Sequence, residues 1–374
     1  MLAMNRRWVR WIPAVAMPAV VAAVVLAGPL QAQTPVTLST KTGEQVLQML
    51  AGSRVQALSG TLAQTVDLGL PQLPSVGPGS APATGSGAAV DLGQLVEFLA
   101  EPHTARIYVD GAGNERLQVL DSMAERDIVR RDNIVWTYDS ATNSATQLTL
   151  PTTPVLGPVS AAGPMEQTPA VMAANILKNL DPATTVSVGA NVKVANQPAY
   201  NLQLVPKSAD TLIAKVSIAV DANNGMPLRV TVLAKGQAKP AIEVGFSELT
   251  LAAPPASMFD FTPPPGATVT KQAVPNPAAG GPLQPGAAAP GTESKPVASK
   301  AATSGTGWSA IVQAPAGTVP ADMLGAPALA RVLQTVQGGS ALSTSLFNVL
   351  ITPSGAVYAG AVPLAVLQQA AAAK

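Results

Sequence analysis

The chain has 374 residues, of which 47% are hydrophobic and only 11% charged, with a formal net charge of +1. That balance gives no concentrated basic face, so a nucleic-acid partner is excluded. The absence of cysteine removes disulfides, a thiol nucleophile and lipobox-type acylation, and a single histidine argues against a His-based metal site or a Ser-His-Asp triad.

The N-terminus reads as a targeting segment. Arg6, Arg7 and Arg10 form a positive region ahead of an uncharged apolar run from Ile12 to Ala27. The small residues after it suit cleavage following Ala32 or Ala27. The run carries Pro13 and Pro18 and is short against the ~20 residues of a membrane span. It is read as a signal peptide over 1–32, with an uncleaved anchor as the other reading, and either places the protein outside the cytoplasm. Removing 1–32 takes away three arginines and no acid, which moves the net charge from +1 to −2.

Thr42-Gly43-Glu44-Gln45 has the form of a capping box, and Val46, Leu47, Met49 and Leu50 supply a helical apolar face ending near Gly52. Leu58 to Asp67 reads as a strand. Pro71 to Gly87 is a Pro/Gly/Ser/Ala loop, and Asp91 caps a short helix carrying Leu92, Leu95, Val96 and Leu99. Residues 106–109 and 116–119 flank the Gly-rich turn Asp110–Asn114 as a hairpin. One face of it is aliphatic (Ile107, Val109, Leu117, Val119) and the other carries Arg106, Tyr108, Arg116 and Gln118. His103, between Pro102 and Thr104, reads as a surface loop residue.

The stretch Asp127 to Leu150 reads as strands joined by short polar turns, an antiparallel meander. Asp127 and Asp132 beside Arg130 and Arg131 read as a solvated turn, where ion pairs contribute little. Trp136 and Tyr138 are core aromatics or ligand contacts. Thr168 to Leu180 reads as a helix with Val171, Ile176, Leu177 and Leu180 on its apolar face. Strands follow at 186–194, 200–205, 212–220, 228–233 and 242–249, a spacing that argues for a curved antiparallel sheet or barrel. From Pro263 the composition shifts to Pro, Ala, Gly, Ser and Thr, and 271–307 reads as a linker. Residues 308–374 then read as a strand from Trp308, a helix over 326–336, a hairpin of 342–352 with 356–362, and a closing helix from Leu364. Three strands are marginal alone, so this extension is expected to dock on the main sheet.

The run Asp132-Asn133-Ile134-Val135-Trp136-Thr137-Tyr138-Asp139 is similar to the D-G-x-x-x-W-x-Y-D stretch of the LolA-type periplasmic lipoprotein carriers and their LolB and RseB relatives. Tyr200 to Lys207, Val220-Asp221 to Gly225-Met226-Pro227, and Phe259 to Ala267 follow in that family's order and spacing. The resemblance covers residues 42 to 270. It departs at Asn133, where the family has Gly, and in the long Pro/Gly inserts. The chain most resembles the actinobacterial branch, whose members carry an extension like the one after residue 300.

The resemblance implies an α+β fold: a strongly curved antiparallel sheet forming an unclosed β-barrel over 33–270, with helices covering the open side. Its apolar hollow would be lined by Ile107, Val109, Leu117, Val119, Ile134, Trp136, Leu202, Leu204, Ile213, Ile218 and Val232. The cover would come from Val46, Leu50, Leu95, Leu99, Ile176 and Leu177, whose faces equally suit plain core packing. Arg106 and Arg116 are candidates for the arginine that pins the family's lid. Burying a methylene contributes roughly 0.8 kcal/mol, so about ten contribute roughly 8 kcal/mol, enough for micromolar binding. The expectation is therefore a monomeric, non-enzymatic carrier of lipid or acylated lipoprotein without cofactor or metal. The alternative is an RseB-like sensor whose partner is the outer segment of a membrane anti-sigma factor. A third reading is a purely structural envelope protein held by its N-terminal segment.

Overall fold

Thr42 opens the first helix as its sequence dictates. In α1 (Gly43–Ala51) the Gln45 amide donates to Thr42 Oγ1 at 3.2 Å, and Gln45 Oε1 accepts from the Thr42 amide at 2.9 Å. Gly52 closes the helix by donating to the Gln48 carbonyl at 2.9 Å. The structure is a computed structural model that describes residues 36–69, 103–111, 113–120, 125–150, 168–178, 180, 182–273, 302–317 and 333–373. The signal segment, the loop at 71–87 and the helix at 91–99 lie outside the described residues.

Among the described residues, twelve strands and one helix follow before residue 251. They are β1 (Ala57–Val66), β2 (His103–Asp110), β3 (Glu115–Leu120), β4 (Glu125–Arg131), β5 (Ile134–Asp139), β6 (Ser144–Thr149), α2 (Pro169–Lys178), β7 (Thr184–Val188), β8 (Val192–Val194), β9 (Gln197–Pro206), β10 (Ile213–Asp221), β11 (Pro227–Ala234) and β12 (Ile242–Thr250). Together with β13 (Thr268–Ala273) they form a thirteen-stranded sheet in the order β13-β6-β5-β4-β3-β2-β1-β12-β11-β10-β9-β7, with β8 paired to β9. It is a large curved sheet that does not close, antiparallel except for the parallel pair β13 and β6. Turn chemistry sets the hairpins. Ala195 and Asn196, between β8 and β9, both take positive φ, the pair a two-residue hairpin turn requires. In the β4–β5 turn the left-handed residue is Asp132, at φ 55°.

A second sheet comprises β14 (Ala302–Ser304), β15 (Ile311–Ala314), β16 (Gln334–Val336), β17 (Gly339–Ser343), β18 (Asn348–Ile351) and β19 (Val357–Gly360), ordered β14-β15-β19-β18-β17-β16. The closing helix α3 (Leu364–Ala372) packs on it through Leu367, which is fully buried.

Several elements depart from expectation. The strand expected over 186–194 breaks into β7 and β8 at Gly189, whose amide donates to the Asn201 carbonyl at 2.8 Å. β13 runs across the start of the expected linker and β14 lies near its end; Thr268-Val269-Thr270 is a β-branched run that pairs with β6 despite the Pro/Ala/Gly-rich sequence after it. Residues 334–336, expected at the end of a helix, form a strand because Gly338 and Gly339 turn the chain back to pair Gln334 with Ala341. His103 is not a loop residue: it opens β2 opposite Gln64 and is half-buried. Asp127 is not in a solvated turn either. It lies within β4 and is 3% exposed.

Candidate functional site

In antiparallel strands, residues directly opposite one another project from the same face. Leu202 lies opposite Ile218, Ile218 opposite Val230, and Val230 opposite Val244. The adjacent row runs Leu204, Val216, Val232, Ile242 and Val66. Following β1 into β2 and β3 brings Leu62, Ala105 and Val119, then Gly60, Ile107, Leu117 and Ile128, onto this same face. The row Leu58, Val109, Glu115, Arg130, Val135 and Leu148 ends it.

The two described helices α1 and α2 pack against this face. Val46 and Leu50 of α1 and Ala173 of α2 belong to one apolar cluster with Leu202, Leu204, Val216, Ile218, Val230 and Val232. Ile176, Leu177 and Ile213 pack against it. Leu202, Leu204 and Ile218 are 0% exposed, so under the helices the face is fully packed. Toward β2 and β3, Ile107, Val109 and Leu117 are only half-buried, and Ile107 and Val109 pack against a second cluster with Leu58, Leu62 and Phe246. Charge enters at the rim. Burial pushes the Glu115 carboxyl above its ordinary range, against the pull of Arg130 and with a further push from Asp110.

Nine of the eleven expected lining residues thus share one face. Ile134 and Trp136 do not: they project from the other face, beside Tyr138, Val129 and Arg116. That face is covered by the segment following β12. The Phe261 ring lies 5.5 Å from Trp136 and 6.0 Å from Tyr138 between centroids. Arg131 pairs with Asp260, and Arg116 Nη1 donates to the Met258 carbonyl at 3.0 Å. Phe259, 2% exposed, completes this strap. Arg106 and Arg116 are on the strap's side, away from the helices, so neither is placed to hold α1 or α2. Of the expected cover residues, Val46, Leu50, Ile176 and Leu177 touch the apolar cluster, while Leu95 and Leu99 lie outside the described residues. Sequence reading missed Val216, Val230 and Val244, although their alternation with polar neighbours carries the same period-two signal.

Among the described residues no group of three or more His, Asp or Glu side chains could hold a metal ion, and no helix is long and apolar enough to cross a membrane.

The fold is an open, curved antiparallel sheet with two described helices against an apolar face. The chain is similar to MucB of Pseudomonas aeruginosa, solved with MucA, at 14% identity, covering 88% of this chain and 96% of that one with a TM-score of 0.41. It is also similar to a LolA-superfamily protein from Nitrosomonas europaea, at 10% identity over 59% of this chain and 99% of that one, TM-score 0.21. A third is a putative outer-membrane lipoprotein-sorting domain from Vibrio parahaemolyticus, at 10% identity over 56% and 91%, TM-score 0.21. No family model matches the sequence, and no curated protein does.

Proposed function

We propose that this chain is an extracytoplasmic binding protein for lipid or for the acyl part of lipoproteins, with no chemistry of its own. The acyl chain lies on the helix-bearing face, and α1 and α2 are the movable cover. The observation that carries this reading is the way α1 sits. Its capping bonds are all local, made by Thr42, Gln45 and Gly52, and it meets the sheet through Val46 and Leu50. A helix capped by its own residues can lift without breaking those bonds. Methylenes of a ligand can then replace its apolar contacts at little net cost. The half-buried Ile107, Val109 and Leu117 beside the packed region offer the place of entry.

The experiment is native mass spectrometry with lipid extraction of the mature protein purified from cell envelopes. The expected result is a bound acyl species that exchanges with added fatty acid. A protein that carries none and takes up none refutes the reading.

The second sheet favours one other reading, a sensor that binds the outer segment of a membrane anti-sigma protein, because it adds a protein-sized surface that a lipid carrier does not need. Recovery of a single-span membrane protein from envelope extracts, with no acyl ligand in the chain, would support it.

A further inference from the structure

Among the described residues, the hydrogen bonds that attach the second sheet to the first fall at one end of the main strands. Trp308 Nε1 donates to Thr184 Oγ1 at 2.7 Å, at the first residue of β7. The Leu212 amide and Thr211 Oγ1 donate to the Ala361 carbonyl at 2.8 and 3.0 Å, just before β10. The Ser345 amide donates to the Leu68 carbonyl at 2.9 Å, just after β1. Because neighbouring strands alternate in direction, the starts of β7 and β10 and the end of β1 lie at the same mouth of the curved sheet.

Into that mouth the second sheet inserts the turn between β17 and β18. Thr344 makes the turn rigid: its Oγ1 accepts from the Leu346 and Phe347 amides at 3.3 and 3.0 Å, and its own amide donates to the Phe347 carbonyl at 3.0 Å. Leu346 is 6% exposed and belongs to the same apolar cluster as Leu202, Leu204, Ile218, Val46 and Leu50. Phe347 and Trp308 pack against that cluster.

We propose that Leu346, backed by Phe347 and Trp308, is the closed end of the acyl-binding face and sets the longest chain it accepts. This rests on the carrier reading above. An acyl chain running along the strands between the sheet and its helices meets a wall held by hydrogen bonds. Close-packed interiors do not yield a methylene's room without displacing side chains. Affinity therefore rises about fourfold with each added methylene until the chain end reaches Leu346, and stops rising there.

The test uses the full mature chain and displacement of a bound fluorescent fatty acid by saturated fatty acids of graded length. Wild type is expected to show a length beyond which affinity no longer increases. Leu346→Ala moves that limit outward by about two carbons, the reach of the atoms removed. Leu346→Phe moves it inward, and because it leaves no cavity it keeps the test decisive should the alanine variant fail to fold. An identical limit in wild type and the folded variants, or no limit in wild type, overturns this inference and leaves the carrier intact. A wild type that binds none of the acids overturns the carrier reading and this inference with it.

Discussion

Arg116 grips Asp127 with two hydrogen bonds, Nε to Oδ1 at 3.1 Å and Nη2 to Oδ2 at 2.6 Å, on the face of the sheet opposite the two helices. The same guanidinium reaches the Met258 carbonyl, so one side chain ties β3, β4 and the strap after β12 together. Burial nevertheless raises the Asp127 carboxyl above its ordinary range, outweighing the hydrogen bond and charge of Arg116, which lower it.

A raised folded value means that this carboxyl's contribution to stability is full below the ordinary aspartate range and is lost as pH climbs through the raised value. Arg116→Met removes the pull that lowers it, so the value rises further. The variant should lose about 3 kcal/mol near neutral pH, where a buried carboxylate is left unpaired. It should recover part of that loss in acid as Asp127 protonates. Denaturant midpoints across pH check this; an equal loss at every pH contradicts it.

Gly225 has φ 74°, and a Cβ there would lie 2.2 Å from the carbonyl oxygen of Met49 near the end of α1. Gly225→Ala should therefore strain the turn before β11 and push α1 off the sheet, at a cost of about 2 kcal/mol. Hydrogen exchange should quicken over residues 43–51 before the strands respond. Unchanged protection of α1 would show that the close approach does not hold the helix down.

The two faces should answer differently to substitution. Trp136→Leu removes a ring packed on Phe261 and should cost about 1–2 kcal/mol of stability while leaving fatty-acid affinity unchanged. Leu117→Asn places an amide on the half-buried part of the helix-bearing face and should weaken affinity about tenfold. Titration of a fluorescent fatty acid separates them, and the opposite ranking would move the ligand to the strap side.

Trp308→Phe deletes the donor to Thr184 and leaves most of the ring's packing. Loss of that bond should cost about 1 kcal/mol. It should loosen the second sheet first, seen as faster exchange over 311–314 and 357–360 than over β9 and β10. Uniform acceleration through both sheets would instead make them one cooperative unit.

What could be read in advance was local. The capping box at Thr42 and Gln45, the Asp110–Asn114 hairpin and the period-two strands from β9 to β12 depend on residues a few positions apart, and each took its expected form within a few residues. The placement of Trp136 and Asp127 could not be read this way. Their surroundings are supplied by Met258, Phe259, Asp260 and Phe261, more than a hundred residues later. A charged residue beside a turn looks solvated until the long-range strap that buries it is in place.

The sequence by itself determined the class of elements and their alternation, because hydrophobic period, turn residues and caps are short-range preferences of the backbone. Only the tertiary structure decided which face carries the helices, that Ile134 and Trp136 stand on the other one, and that Leu346 reaches the main apolar cluster. Those outcomes depend on strand register and on segments brought together from opposite ends of the chain, and a period of two is the same whichever face is turned inward.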